Sequence, residues 1–124
     1  MTVAVPSERD PADSLTDIIE NAERIAGYLR GIDRTAFAAD GKLRDAVERC
    51  LERVAEAAHR LGHSAALLMP GQPWAEIRGM GNRLRHAYDR ISLEVIWNTV
   101  CYDLPSLAED ARRALASLRN TPPA

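Results

Sequence analysis

The sequence predicts an all-α protein, an antiparallel bundle of four or five helices in one domain. Three observations predict it. Apolar residues recur over long stretches at the i, i+3, i+4, i+7 spacing of an amphipathic helix. No proline falls between Ala12 and Met69, so the first half of the chain has no built-in break. No segment shows the apolar–polar alternation of a half-buried strand. The 124 residues make one ordinary domain, 46% apolar and 27% charged, which is a soluble globular balance. That domain is expected over residues 14–118, between an N-terminal tail at 1–13 and a C-terminal tail at 119–124.

The elements follow in order. Leu15, Ile18, Ile19, Ala22, Ile25, Ala26 and Leu29 form the first stripe, with Asp13 or Ser14 as its cap and Gly31 as its end. Thr35 to Asp40 reads as a short helical turn. The second long stripe runs from Leu43 to Leu61 and closes at Gly62. Residues 63–73, punctuated by Pro70, Gly71 and Pro73, read as a loop. A third helix is expected from about Trp74 to Asp89 and a fourth from about Ser92 to Tyr102. Pro105 begins a last one, Ser106 to Leu118. Trp74 and Trp97 are expected in the core.

Composition excludes several functions. A formal charge of -2 argues against broad coating of nucleic acid. Locally the balance reverses: Arg78, Arg83, Arg85 and Arg90 lie in a stretch, 76–90, whose only acids are Glu76 and Asp89. Cys50 and Cys101 stand far apart in apolar patterns and read as buried reduced thiols. His59 and His63 have an i, i+4 spacing that could clamp a metal, but no third ligand accompanies them, so no metal or other cofactor is expected. The N-terminus lacks the pattern of a signal peptide, and no run approaches the ~20 apolar residues of a membrane span. A cytoplasmic protein without membrane contact is expected.

The run Arg78-Gly79-Met80-Gly81-Asn82-Arg83-Leu84-Arg85-His86-Ala87-Tyr88 carries the chemistry. Histidine exchanges protons near neutral pH, and arginine is the planar, permanently charged partner of phosphate. Together they point to a phosphodiester. Cleavage of a phosphodiester without a metal needs a base for the attacking hydroxyl and an acid for the leaving oxygen, and His86 can serve as either. At about 100° per residue, Asn82 and His86 lie about 40° apart and share a face. Arg83 is a helical neighbour of His86 at i, i+3. Arg78, Arg83 and Arg85 are the candidate phosphate-binding cations, with Arg85 and Arg90 otherwise solvated. Glu56 reads either as a polar group inside the bundle or as a surface charge.

The order of several segments adds to this reading. Tyr28-Leu29-Arg30-Gly31 is followed by Cys50-Leu51-Glu52-Arg53-Val54-Ala55-Glu56-Ala57-Ala58 and by Pro73-Trp74-Ala75-Glu76-Ile77-Arg78-Gly79-Met80. His86-Ala87-Tyr88, Val95-Ile96-Trp97 and Asp103-Leu104-Pro105-Ser106-Leu107 complete the series. The chain thereby resembles the HepT-like toxins of the HEPN superfamily over about Ser14 to Leu118. That family's motif is an arginine, four residues, a histidine, one residue and a tyrosine. The resemblance implies a homodimer whose two motifs meet in one cleft, with RNA as substrate and Arg78, Arg83 and Arg85 as the RNA-binding cations. It implies a toxin–antitoxin pairing with a minimal nucleotidyltransferase. His86 takes the catalytic histidine's place, Asn82 the polar residue's, and Tyr88 the tyrosine to which the partner attaches AMP.

The motif arginine would fall at residue 81, and residue 81 is Gly81. A glycine inside a helix costs about 1 kcal/mol relative to alanine, and the sequence offers no packing benefit in return. Either a natural, catalytically degenerate member or a variant made to disarm a toxin would carry it. On both readings the metal-independent ribonuclease is weakened or inactive. The rival reading is a non-catalytic dimeric module that docks a nucleotidyltransferase and is AMPylated by it. A plain structural bundle without an RNA role is the third.

Overall fold

Asp10 opens the first helix by accepting the Ala12 N–H at 3.0 Å, and Pro11 takes the first helical position, where its missing N–H leaves no gap. In the computed structural model, which describes residues 10–86 and 91–120, this helix is α1, Pro11–Tyr28. It starts earlier than the stripe alone predicts. Ser14, expected as a cap, is instead buried within it. Asp33 caps the short α2, Arg34–Ala39, through the Ala36 N–H, and Asp40 caps α3, Gly41–Leu61, through the Leu43 N–H. Gly62 ends α3 with φ at 54°, the left-handed region that glycine adopts without strain.

The expected loop after Gly62 begins with a helix, α4, His63–Leu68. Its Ser-Ala-Ala-Leu-Leu run is good helix-forming sequence, and Ala65 and Met69 pin it to the core. The third long helix, α5, is Trp74–His86. The fourth is split. Ser92 caps α6, Leu93–Asn98, which widens into a π-helical turn at Thr99–Asp103 and passes directly into α7, Leu104–Asn120. Pro105 stands in the first turn of α7, as expected of a residue that begins a helix, but no gap separates that helix from the wider turn before it.

The long helices α1, α3, α5 and α7 make the bundle, and among the described residues there is no strand. α1 packs on α3 and α7, and α5 packs on α3. Pairings fix the directions. Asp17 near the start of α1 meets Arg60 near the end of α3. Gly81 on α5 faces Ala55, and further along the chain the Ile91 carbonyl accepts from Arg44. Both α1 and α5 therefore run antiparallel to α3. The core joins Leu15, Ile18 and Ile25 to Val47, Leu51 and Val54, with Leu107 and Ala111 closing it from α7. Phe37, fully buried, stacks tilted on the half-buried Trp97 with ring centroids 5.3 Å apart. Trp74 is buried and donates its indole N–H to the Met69 carbonyl at 2.9 Å. Cys50 is buried as expected, but Cys101 is exposed on the π-helical turn. No helix among the described residues is long and apolar enough to cross a membrane.

Candidate functional site

The site is built on α5. Trp74 anchors its start, and Ile77, Gly81 and Leu84 turn toward α3. The 100° step then sets Arg78, Asn82 and Arg85 within about 60° of one another, along the edge of the contact with α3. His86, about 40° beyond Asn82, is exposed. Asn82 and His86 thus share an accessible face. Arg83 lies about 140° around the helix from Arg78 and points away from this edge. Tyr88 and Arg90 lie outside the described residues.

Gly81 has the packing role that the sequence does not reveal. It is buried, and a Cβ built on it would stand 2.4 Å from the Cβ of Ala55. Real Cβ atoms do not approach so closely. α5 and α3 come together at this point because neither residue carries more than a methyl group. The glycine is therefore a contact residue between two helices as well as the position of the motif arginine. An arginine placed there would have to push α5 off α3.

The same construction brings in Arg85. Its Nη1 lies 3.7 Å from the Cβ position of residue 81, so a guanidinium from the next turn covers the place where a side chain at 81 would emerge. Arg85 also stands 3.6 Å from Glu56, which in turn lies 4.0 Å from Arg60. Glu56 is thus an exposed α3 carboxylate engaged with arginines of two helices. Arg60 donates to Asp17 at 2.7 Å.

Arg85 separates two open cavities. The larger, about 420 Å³, has most of its positive charge offset: Arg49, Arg53, Arg60 and Arg85 face Asp17, Glu52 and Glu56. The smaller, about 280 Å³, has His59, Arg78, Asn82 and Arg85 on its wall, Ala55 and Gly79 as its small residues, and no carboxylate. By sequence spacing alone, His59 pairs with His63 as half of a metal clamp. Among the described residues no three His, Cys, Asp or Glu side chains gather as metal ligands would. The structure instead places His59 beside Arg78, a juxtaposition that only the α3–α5 crossing creates.

Comparison with known proteins points to one family. The family model described as "Ribonuclease HepT-like" matches residues 18–114. A Thermococcus cleftensis protein named "Probable ribonuclease HepT" is 38% identical over 100 residues, covering 81% of this chain and 91% of the relative. A Methanocaldococcus jannaschii protein named "Putative RNase MJ1380" is 32% identical over 104 residues, covering 84% of this chain and 95% of the relative. No solved structure matches the chain.

Proposed function

The chain belongs to the HepT-like ribonuclease family, and from that premise we propose that it is the toxin half of a toxin–antitoxin pair, with RNA as its substrate. The observation that carries the reading is the exposed face of α5, on which His86 and Asn82 lie together beside Arg78 and Arg85. On this reading His86 takes the 2′-hydroxyl proton as that oxygen attacks phosphorus, or returns a proton to the departing 5′-oxygen. Both halves of the reaction fall to histidine if two chains pair about a two-fold axis and bring two copies of His86 to one groove. Asn82 orients the imidazole or holds a phosphate oxygen. A nucleotidyltransferase partner attaches AMP to Tyr88, and the added negative phosphate repels RNA from a basic surface.

Catalysis is weakened because residue 81 supplies no guanidinium to the pentacovalent phosphorus. Loss of one such donor typically lowers a rate by about 10²–10³. The seating of Gly81 on Ala55 favours a second reading: a docking module that keeps the family's bundle and its modification site without the chemistry. RNA cleavage without added metal separates them. The parent, His86→Ala, and the pair Ala55→Gly with Gly81→Arg are compared on one RNA. The paired variant should cleave about 10²-fold or more faster than the parent, and adding His86→Ala should abolish the gain. If the folded paired variant stays inert, the docking module is correct. Light scattering showing a monomer at micromolar concentration refutes the shared groove. Intact-mass analysis with ATP and a cognate nucleotidyltransferase should show one added AMP, absent in Tyr88→Phe.

A further inference from the structure

We propose that the cavity between α3 and α5, walled by His59, Arg78, Asn82 and Arg85, is a phosphate-binding site that holds a backbone phosphate of RNA beside His86. The identity of the phosphate as RNA rests on the function proposed above. The site itself rests on three observations.

The first is charge. Two arginines and a histidine meet in a space of about 280 Å³ whose wall contains no carboxylate. The neighbouring cavity sets four arginines against three acids and has no comparable demand for an anion. The second is donor availability. Among the described residues, Arg78, Asn82 and His59 have no side-chain hydrogen bond or ion pair, so their N–H groups remain for a ligand. Arginine offers five donors in a fork that matches phosphate oxygens, and the Asn82 amide adds two.

The third is the position of Arg85. Its guanidinium lies 3.7 Å from where a Cβ of residue 81 would be. Positive charge is therefore delivered to the neighbourhood of the missing arginine from one turn later on the helix. Ala55 and Gly79 are small enough to leave the space open. The same Arg85 nitrogen, Nη1, lies 3.6 Å from Glu56, which competes for that guanidinium. The size suits one phosphate with its sugar, since it falls just below the roughly 300–1,000 Å³ of ordinary small-molecule pockets.

The test uses a fluorescent eight-residue 2′-O-methyl RNA, which lacks the attacking hydroxyl and cannot be cut. Binding is followed by anisotropy across a salt series. Arg78→Ala should weaken binding by about ten-fold. It should also reduce the slope of log K against log salt by about 0.7, the value for one lost contact to a single strand. Glu56→Gln should tighten binding, because it releases Arg85 without removing any donor. This expected gain keeps the test informative should a loss variant fold poorly. His63→Ala, at the start of α4 and outside the cavity, should bind like the parent. Imidazole resonances of His59 should move on addition of the oligonucleotide while those of His63 stay. Inorganic phosphate, compared with chloride at matched ionic strength, should displace the oligonucleotide only weakly if the site takes a strand rather than the free ion; equal displacement makes it a free-phosphate site.

A parent that does not bind, or Arg78→Ala and Glu56→Gln variants within two-fold of it, overturns the proposal. If the oligonucleotide results hold but unmodified RNA is never cleaved, the site stands and the ribonuclease reading falls. If unmodified RNA is cleaved while these variants bind unchanged, the reverse is true.

Discussion

Arg60 and Asp17 meet at 2.7 Å and tie the end of α3 to the start of α1. The pair is only partly exposed, so water screens it less than it would a fully solvated pair. Arg60→Leu should lower unfolding free energy by about 1 kcal/mol in urea at low salt. The difference should shrink in 1 M sodium chloride. An unchanged urea midpoint at both salt concentrations would show that the pair adds nothing to stability.

Helix propensity and packing predict opposite effects at residue 81. Propensity alone gives Gly81→Ala a gain of about 1 kcal/mol. The 2.4 Å approach to Ala55 predicts a loss of about 1–3 kcal/mol, the ordinary cost of overpacking. Ala55→Gly should rescue Gly81→Ala, so that the two changes are strongly non-additive in a double-mutant cycle. A stabilised Gly81→Ala single variant contradicts the contact.

Trp74→Phe keeps most of the ring volume but removes the donor to the Met69 carbonyl. The Met69 carbonyl keeps only the longer bond from the Gln72 N–H, at 3.4 Å, and stability should fall by about 1 kcal/mol. Loss of α5 signals before global unfolding, followed by amide hydrogen exchange, would identify Trp74 as the anchor of that helix.

Asp110 gives a pH signature. The Gln72 amide, donating at 2.7 Å, and the Arg113 guanidinium beside it hold the Asp110 carboxyl below its ordinary range. A depressed carboxyl stabilises the fold fully above its unfolded value of about 3.9, and the contribution is lost as pH falls through the folded value. Asp110→Asn should therefore be less stable than the parent at pH 7, with a smaller gap at pH 3. A gap that does not change with pH would assign the effect to something other than the charge.

The stripes of α1, α3, α5 and α7 were legible because each helix writes its own period. Their ends were less so. Asp10 outcompetes Asp13 as a cap because Pro11 presets the first turn, and α4 hides among residues bounded by loop punctuation. The common face of Asn82 and His86 follows from the helical repeat alone. The closeness of His59 to Arg78 and of Gly81 to Ala55 does not, because each belongs to a crossing of two helices far apart in sequence. Only glycine's low propensity at 81 signalled that something there outweighed helix stability. Cys101 was misplaced because an apolar stripe does not reveal a π-helical turn, which rotates later residues off the face they would otherwise occupy.

The contact between Gly81 and Ala55 also constrains evolution. From this sequence, a single substitution to arginine at 81 meets a steric barrier, so selection for catalysis alone cannot readily fix it. The open route changes residue 55 first, and its intermediate has two facing glycines in place of one, at a cost of about 1 kcal/mol in helix propensity. A lineage would cross that intermediate without any gain in activity. The two positions should therefore change together across related sequences, with large residues at 81 found only where 55 is small or α5 stands further from α3.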